Sequence, residues 1–264
     1  MSFSFIHITD HHLSESESSL VRGFSPAHAF RAVMRHIAEN AAPYADFLIT
    51  TSDLVEPASN VAYRTLVHML DVQGDSAEAP GPLRVSMEGL QAFPMYFLPG
   101  NHDDRNDFFL CLYPRTPPMP LMNLAFLHKG VQFICLDWGL QSKAIAHPET
   151  LDFLARSLEA GLPSIILMHH HLVSIGSRWL DGFVLDDERF WEIVSNRNVM
   201  GIFCGHVHIT YDKVVEGIPV LGLRSTAFPL ALQNEPLLCL LPPHYRFVTI
   251  QNDILTTRVF EVPL

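Results

Sequence analysis

The chain has 264 residues, of which 48% are hydrophobic and 17% charged, with a formal net charge of -11 at pH 7. This composition excludes a disordered chain and allows a large buried core. No basic block is present to grip a nucleic-acid backbone, so no nucleic-acid partner is expected, and no apolar run is long enough to span a membrane.

The opening stretch MSFSFIHITD lacks a basic region, a long apolar region and a cleavage site. It reads as a first strand rather than a signal peptide, and the protein is expected in the cytoplasm. A Ser-rich loop over 14–25 follows. Ser25-Pro26 is then a helix start, with Phe30, Val33, Met34 and Ile37 at helical spacing, which predicts an amphipathic helix over 26–41. ADFLITT is a second strand ending at Ser52-Asp53. The next helix carries Tyr63, Leu66, Val67 and Leu70 on one face and leaves His68 off it. Residues 74–89 are rich in small residues and proline and read as an inserted surface loop.

MYFLPG and VQFICLD are the third and fourth strands, and a helix is expected near 149–160, with His147 at its start. SIILM runs into His169, ERFWEIVSN is helical, and VMGIFCG runs into His206. Residues 210–264 are β-rich, with a hairpin at YDKVVEGIPVLGL and strands at YRFVTI and TTRVFEV. This part either closes the core or pairs with a second copy in a homo-oligomer. Strands alternating with helices and ending in hairpins predict an α/β layered fold with mixed sheets, in one domain. The four widely spaced cysteines are expected to be reduced and mostly buried.

Histidine is the exception to this ordinary composition: there are fifteen. Strand after strand ends in side chains able to hold a metal: Asp10 and His12, Asp53, Asn101 and His102, the run His169-His170-His171, then His206 and His208. Taken singly, an aspartate after a strand is more often a helix cap, and a histidine pair in a loop is unremarkable. Open α/β sheets place their chemistry beyond the carboxyl ends of strands, so the repetition points to one site. In GHVH, alternation along an extended segment would send both imidazoles to one side. Carboxylates, imidazoles and an amide oxygen suit manganese, iron or zinc, and a set this large exceeds what one tetrahedral zinc needs. Two cations would also supply the positive charge that so acidic a chain lacks for an anionic substrate.

The order D-x-H, Asp, G-N-H-D, His and G-H-x-H resembles the calcineurin-like metallophosphoesterase superfamily over residues 5–227. Within it, DHHL, SPAHAFRAVMRHI, LMHHHLVSIGSRWLD and CGHVH resemble class III cyclic-nucleotide phosphodiesterases and the related glycerophosphodiesterases. The resemblance implies a four-layer sandwich, two mixed β-sheets flanked by helices, with the site at one edge. It implies two divalent or mixed-valence metals. Asp10, His12 and His208 would hold one; Asn101, His170 and His206 the other; Asp53 would bridge. A hydroxide held between the metals would attack phosphorus in line, with His102 as general acid or stabiliser, oriented by Asp103. His169 is the alternative ligand to His170, with His171 then facing the substrate. Arg105 and Arg178, with Trp179 beside the latter, are the candidates for substrate contact.

The chain departs from the family pattern at Ser52, where glycine is usual, and at Leu172, where proline is usual. The implied activity is hydrolysis of a small soluble phosphodiester, first a 3',5'-cyclic nucleotide. The alternatives are a glycerophosphodiesterase, another cyclic-phosphate hydrolase, a phosphomonoesterase, or a non-catalytic scaffold on the same fold. The loop 14–25 and the stretch 74–89 are the expected determinants of substrate choice.

Overall fold

The structure, a computed structural model, describes residues 2–72, 81–114 and 120–264. The first sheet contains β1 (Ser2–Ile8), β2 (Phe47–Thr51), β3 (Leu83–Val85), β4 (Phe93–Leu98), β11 (His244–Gln251) and β12 (Ile254–Glu261). Its order is β12-β11-β1-β2-β4-β3, with β1, β2 and β4 parallel and the remaining pairings antiparallel. The second sheet contains β5 (Leu124–His128), β6 (Val131–Leu136), β7 (Ser164–Met168), β8 (Val199–Cys204), β9 (Tyr211–Val215) and β10 (Ile218–Gly222). Here the order is β5-β6-β7-β8-β10-β9, with β6, β7, β8 and β10 parallel.

The strands at the heart of each sheet are buried on both faces, and their period of two sorts side chains between layers. Phe3 and Phe5 of β1, Phe47 and Ile49 of β2, Phe133 and Cys135 of β6, and Ile165 and Leu167 of β7 meet between the sheets. Their neighbours Ile6, Ile8 and Leu48 turn outward to α1 (Pro26–Asn40), α2 (Asn60–Leu70) and α3 (Arg105–Leu112). On the other side Ile134, Ile166 and Met168 turn to α4 (Pro148–Leu158) and α5 (Glu188–Val194). The result is the expected four-layer sandwich.

Several elements depart from expectation. The stretch 74–89 lies outside the described residues up to 80. Beyond that it supplies edge strand β3 and the buried Val85 and Met87, so this portion is sheet and core rather than surface loop. Edge strand β5 and the short helix α3 were not predicted; β5 is only half buried and α3 has no clear apolar face. All four cysteines are free; Cys135 and Cys204 are buried, Cys111 and Cys239 partly so. Among the described residues no helix is long and apolar enough to cross a membrane.

Candidate metal centre

The loop after β1 and the loop after β2 are bonded to each other. The N–H groups of His11 and His12 donate to Asp53 O at 2.8 and 3.0 Å, and Leu13 N donates to Leu54 O at 2.9 Å. Asp10, His12, His206 and His208 all have left-handed backbone, with φ of 56°, 43°, 72° and 53°. Four such residues at one locus, none of them glycine, are strain held by their surroundings, as at functional sites. Two glycines allow the loops to close. A Cβ at Gly205 would lie 2.7 Å from Asp10 Oδ2 and 2.9 Å from Thr51 O, and one at Gly100 would lie 2.7 Å from Asp53 N, with the Asp53 side chain nearer still. Gly100 therefore serves close approach; its φ is not positive.

Two groups of donors frame the site, Asp10, His12 and His208, and Asp53, His169 and His206; a third, His12, Glu56 and His102, shares His12 with the first. In the first, Nε2 of His12 and Nε2 of His208 face each other at 3.1 Å, and Asp10 Oδ1 is 3.3 Å from His208 Nε2. In the second, His169 Nε2 lies 3.0 Å from Asn101 Oδ1, 3.1 Å from His206 Nδ1 and 3.3 Å from Asp53 Oδ2. Asp53 stands between the groups. Its Oδ1 accepts the His102 N–H at 2.8 Å, while Oδ2 faces His169 and, at 3.8 Å, His12 Nε2.

Outer contacts determine which ring atom points inward. His208 Nδ1 donates to Phe228 O at 2.6 Å and His169 Nδ1 to Thr51 O at 2.9 Å, while His12 Nδ1 lies 2.9 Å from Glu56 Oε2. Each ring thereby turns Nε2 to the centre, as ligating histidines do. Asp10 Oδ2 accepts from the Thr9 hydroxyl at 2.7 Å and the His206 N–H at 3.1 Å. Burial alone would lower the basicity of His169, yet Asp53 and then Asp10 raise it to about 9. The centre favours positive charge, and this donor set fits divalent cations.

The structure places some predicted residues elsewhere. Not His170 but His169 joins Asp53, Asn101 and His206. Along β7, residues 165 and 167 face the other sheet, and 169 continues that parity toward the loops bearing Asp53 and Asn101. His170 turns its Nε2 to Gln141 O instead, at 2.8 Å, and burial lowers its pKa to about 3. His171 is buried and does not line the cavity over the centre. His206 and His208 are not on one side of an extended segment, because left-handed turns send them to different donor groups.

Asp103 does not orient His102. Its buried carboxylate accepts from Gly100 N at 2.8 Å, Leu54 N at 3.1 Å and the Tyr63 hydroxyl at 2.8 Å. Burial and the Asp53 charge push it up to about 7. Arg105 is no substrate contact either: it is buried, its guanidinium forked on the Asp137 carboxylate with Nη1 on Gly100 O. Arg178 is exposed and away from the cavity, whereas Trp179 lines it. Ser52 has no positive φ, and its buried hydroxyl bonds Thr50 Oγ1, so a Cβ is accommodated where glycine is usual.

The cavity opens over both donor groups, with His102 at its edge and Trp179, Phe183, Phe228 and Leu230 as apolar walls. Its one Lys or Arg side chain among the described residues is Arg22, which sequence reasoning missed.

Residues 3–210 match the calcineurin-like phosphoesterase family model, and the chain belongs to that family of metal-dependent phosphoesterases. It is similar to the 3',5'-cyclic adenosine monophosphate phosphodiesterase CpdA of Vibrio vulnificus, with 28% identity covering 98% of this chain and 89% of that protein. A 3',5'-cyclic-nucleotide phosphodiesterase of Nostoc is 26% identical over 98% of this chain and 92% of its own length. Among solved structures, a dimetal phosphatase from Danio rerio shares the fold at a TM-score of 0.60 and 11% identity, covering 99% of each chain. GAP50, the anchor in the inner membrane complex of Plasmodium, shares it at 0.59 and 13%, covering 99% of this chain and 85% of its own.

Proposed function

We propose that the protein is a binuclear-metal phosphodiesterase acting on a small diester, with a 3',5'-cyclic nucleotide as the first substrate to test. The observation that carries the reading is Asp53, whose one carboxylate oxygen faces both donor groups. Asp10, His12 and His208 would hold one cation and Asn101, His169 and His206 the other, with Asp53 shared. Bound there, manganese, iron or zinc supplies Lewis acidity toward a phosphoryl oxygen and lowers the pKa of water.

The protein's own part is to position and to move a proton. His102 is held through its backbone N–H on Asp53 Oδ1, with its side chain 34% exposed at the cavity edge. It is placed to protonate a departing ester oxygen or to stabilise charge on phosphorus. The names of the relatives support a cyclic nucleotide; the donor groups by themselves serve any phosphate ester.

The test is a panel of cyclic nucleotides, glycerophosphodiesters and phosphomonoesters on manganese-loaded protein. Turnover of 3',5'-cyclic AMP above all others is expected. Preference for glycerophosphodiesters or monoesters would replace this substrate with another on the same centre. No turnover, together with no tightly held metal, would favour a scaffold role.

A further inference from the structure

Arg22 occupies an unusual place. Val21 and Phe24 form an isolated antiparallel bridge, with Val21 N donating to Phe24 O at 2.9 Å and Phe24 N to Val21 O at 3.0 Å. Between them Arg22 and Gly23 have φ of 53° and 86°. Positive φ at both central residues is the geometry of the tight hairpin turn that Asn-Gly forms with least strain. Arginine at the first position is unfavourable, because its Cβ crowds the carbonyl in left-handed backbone. The turn alone does not call for arginine.

The hairpin is docked on the metal centre. Val21 and Phe24 pack with Phe228, whose ring lies 4.8 Å from each of the His12 and His208 rings. The Arg22 guanidinium sits over that same ring, 5.2 Å from its centroid. Among the described residues its one ion pair is with Glu56, at 3.5 Å, and the side chain is 48% exposed. An exposed pair at that distance contributes little. Among the described residues the fork makes no second ion pair, which leaves N–H donors to meet an anion in a cavity with no other Lys or Arg.

We infer that Arg22 is a substrate-positioning residue, its guanidinium binding a non-bridging phosphoryl oxygen of the ester above the donor groups. The inference rests on the proposed phosphoesterase site and adds to it the residue that grips the anion. Phosphoryl oxygens are present in substrate and transition state alike, so the grip is uniform binding and its loss raises KM rather than lowering kcat.

The experiment compares wild-type, Arg22→Asn and Arg22→Lys proteins, all loaded with manganese. It measures inorganic phosphate binding by calorimetry, kcat and KM on bis(p-nitrophenyl) phosphate, and the thermal midpoint. Loss of a charge-assisted contact predicts phosphate binding about tenfold weaker in Arg22→Asn, with KM raised by a similar factor. Arg22→Lys recovers part of both. The midpoint of Arg22→Asn is equal or higher, since asparagine tolerates left-handed backbone better than arginine. Unchanged phosphate affinity in Arg22→Asn overturns the inference, as does a wild-type protein that binds no phosphate. A lowered midpoint with unchanged affinity would reduce Arg22 to a partner of Glu56. If wild-type protein cleaves no diester yet binds phosphate through Arg22, the diesterase reading fails and this one stands.

Discussion

His102 stands at the open side of the donor groups, its backbone N–H on Asp53 Oδ1 at 2.8 Å and its ring Nε2 farther off, 4.0 Å from Asp53 Oδ2. Removing the imidazole should therefore spare the donors. His102→Ala is expected to lose about 10²–10⁴ in kcat, the range of a positioned acid or base, with manganese content unchanged by elemental analysis. The histidine run makes a second comparison. His169 faces Asn101 and Asp53, whereas His170 is turned to Gln141 O. His169→Ala should lose one of two bound metals, and His170→Ala should retain both; the reverse pattern would restore the assignment by family register. The signal for His169 was present in SIILMHHH as strand parity, which outweighs alignment of a motif when Leu172 departs from the pattern. Arg22 lies in the 14–25 loop expected to govern substrate choice, but nothing in the sequence singles it out within that loop. Its importance arises from a turn and a ring, Phe228, two hundred residues away in the chain.

At the scale of elements, Arg105 joins the first sheet to the second. It leaves the start of α3 to reach Asp137 after β6, while the Asp137 carboxylate also accepts from Met122 N and Gly139 N at 2.8 Å each. The Arg105 charge draws the Asp137 pKa down against the effect of burial. Arg105→Met would leave that carboxylate buried and unpaired, at a cost of about 3–5 kcal/mol. Urea unfolding should show the loss as a lower midpoint with unchanged slope. A change below about 0.5 kcal/mol, the usual effect of a surface substitution, would show that the pair is not holding the sheets. The sequence places Arg105 beside G-N-H-D and so suggests substrate contact; only the tertiary partner Asp137 reveals the strut.

For the molecule as a whole, the centre gathers buried carboxylates; burial, and then the Asp53 charge, raise the pKa of Asp103. Divalent cations binding the folded state alone should stabilise it, by about 2.7 kcal/mol at a hundredfold excess over Kd. Chelation should lower the thermal midpoint and manganese should restore it; a midpoint indifferent to both would argue against a cation site at these donors. A fold of this kind does not by itself decide whether chemistry occurs; the side chains placed at its edge do. What the amino-acid order determined by itself was local and periodic: the strands with their alternating Phe and Ile, the helix starts, and the polar residues that close each strand. Tertiary structure alone decided which histidine faces inward, which charged residue is strut and which is grip, and that Ser52 fits unstrained. Those outcomes depend on partners distant in the chain, across the gap between two sheets, where burial and hydrogen bonding select among side chains that look equivalent in sequence.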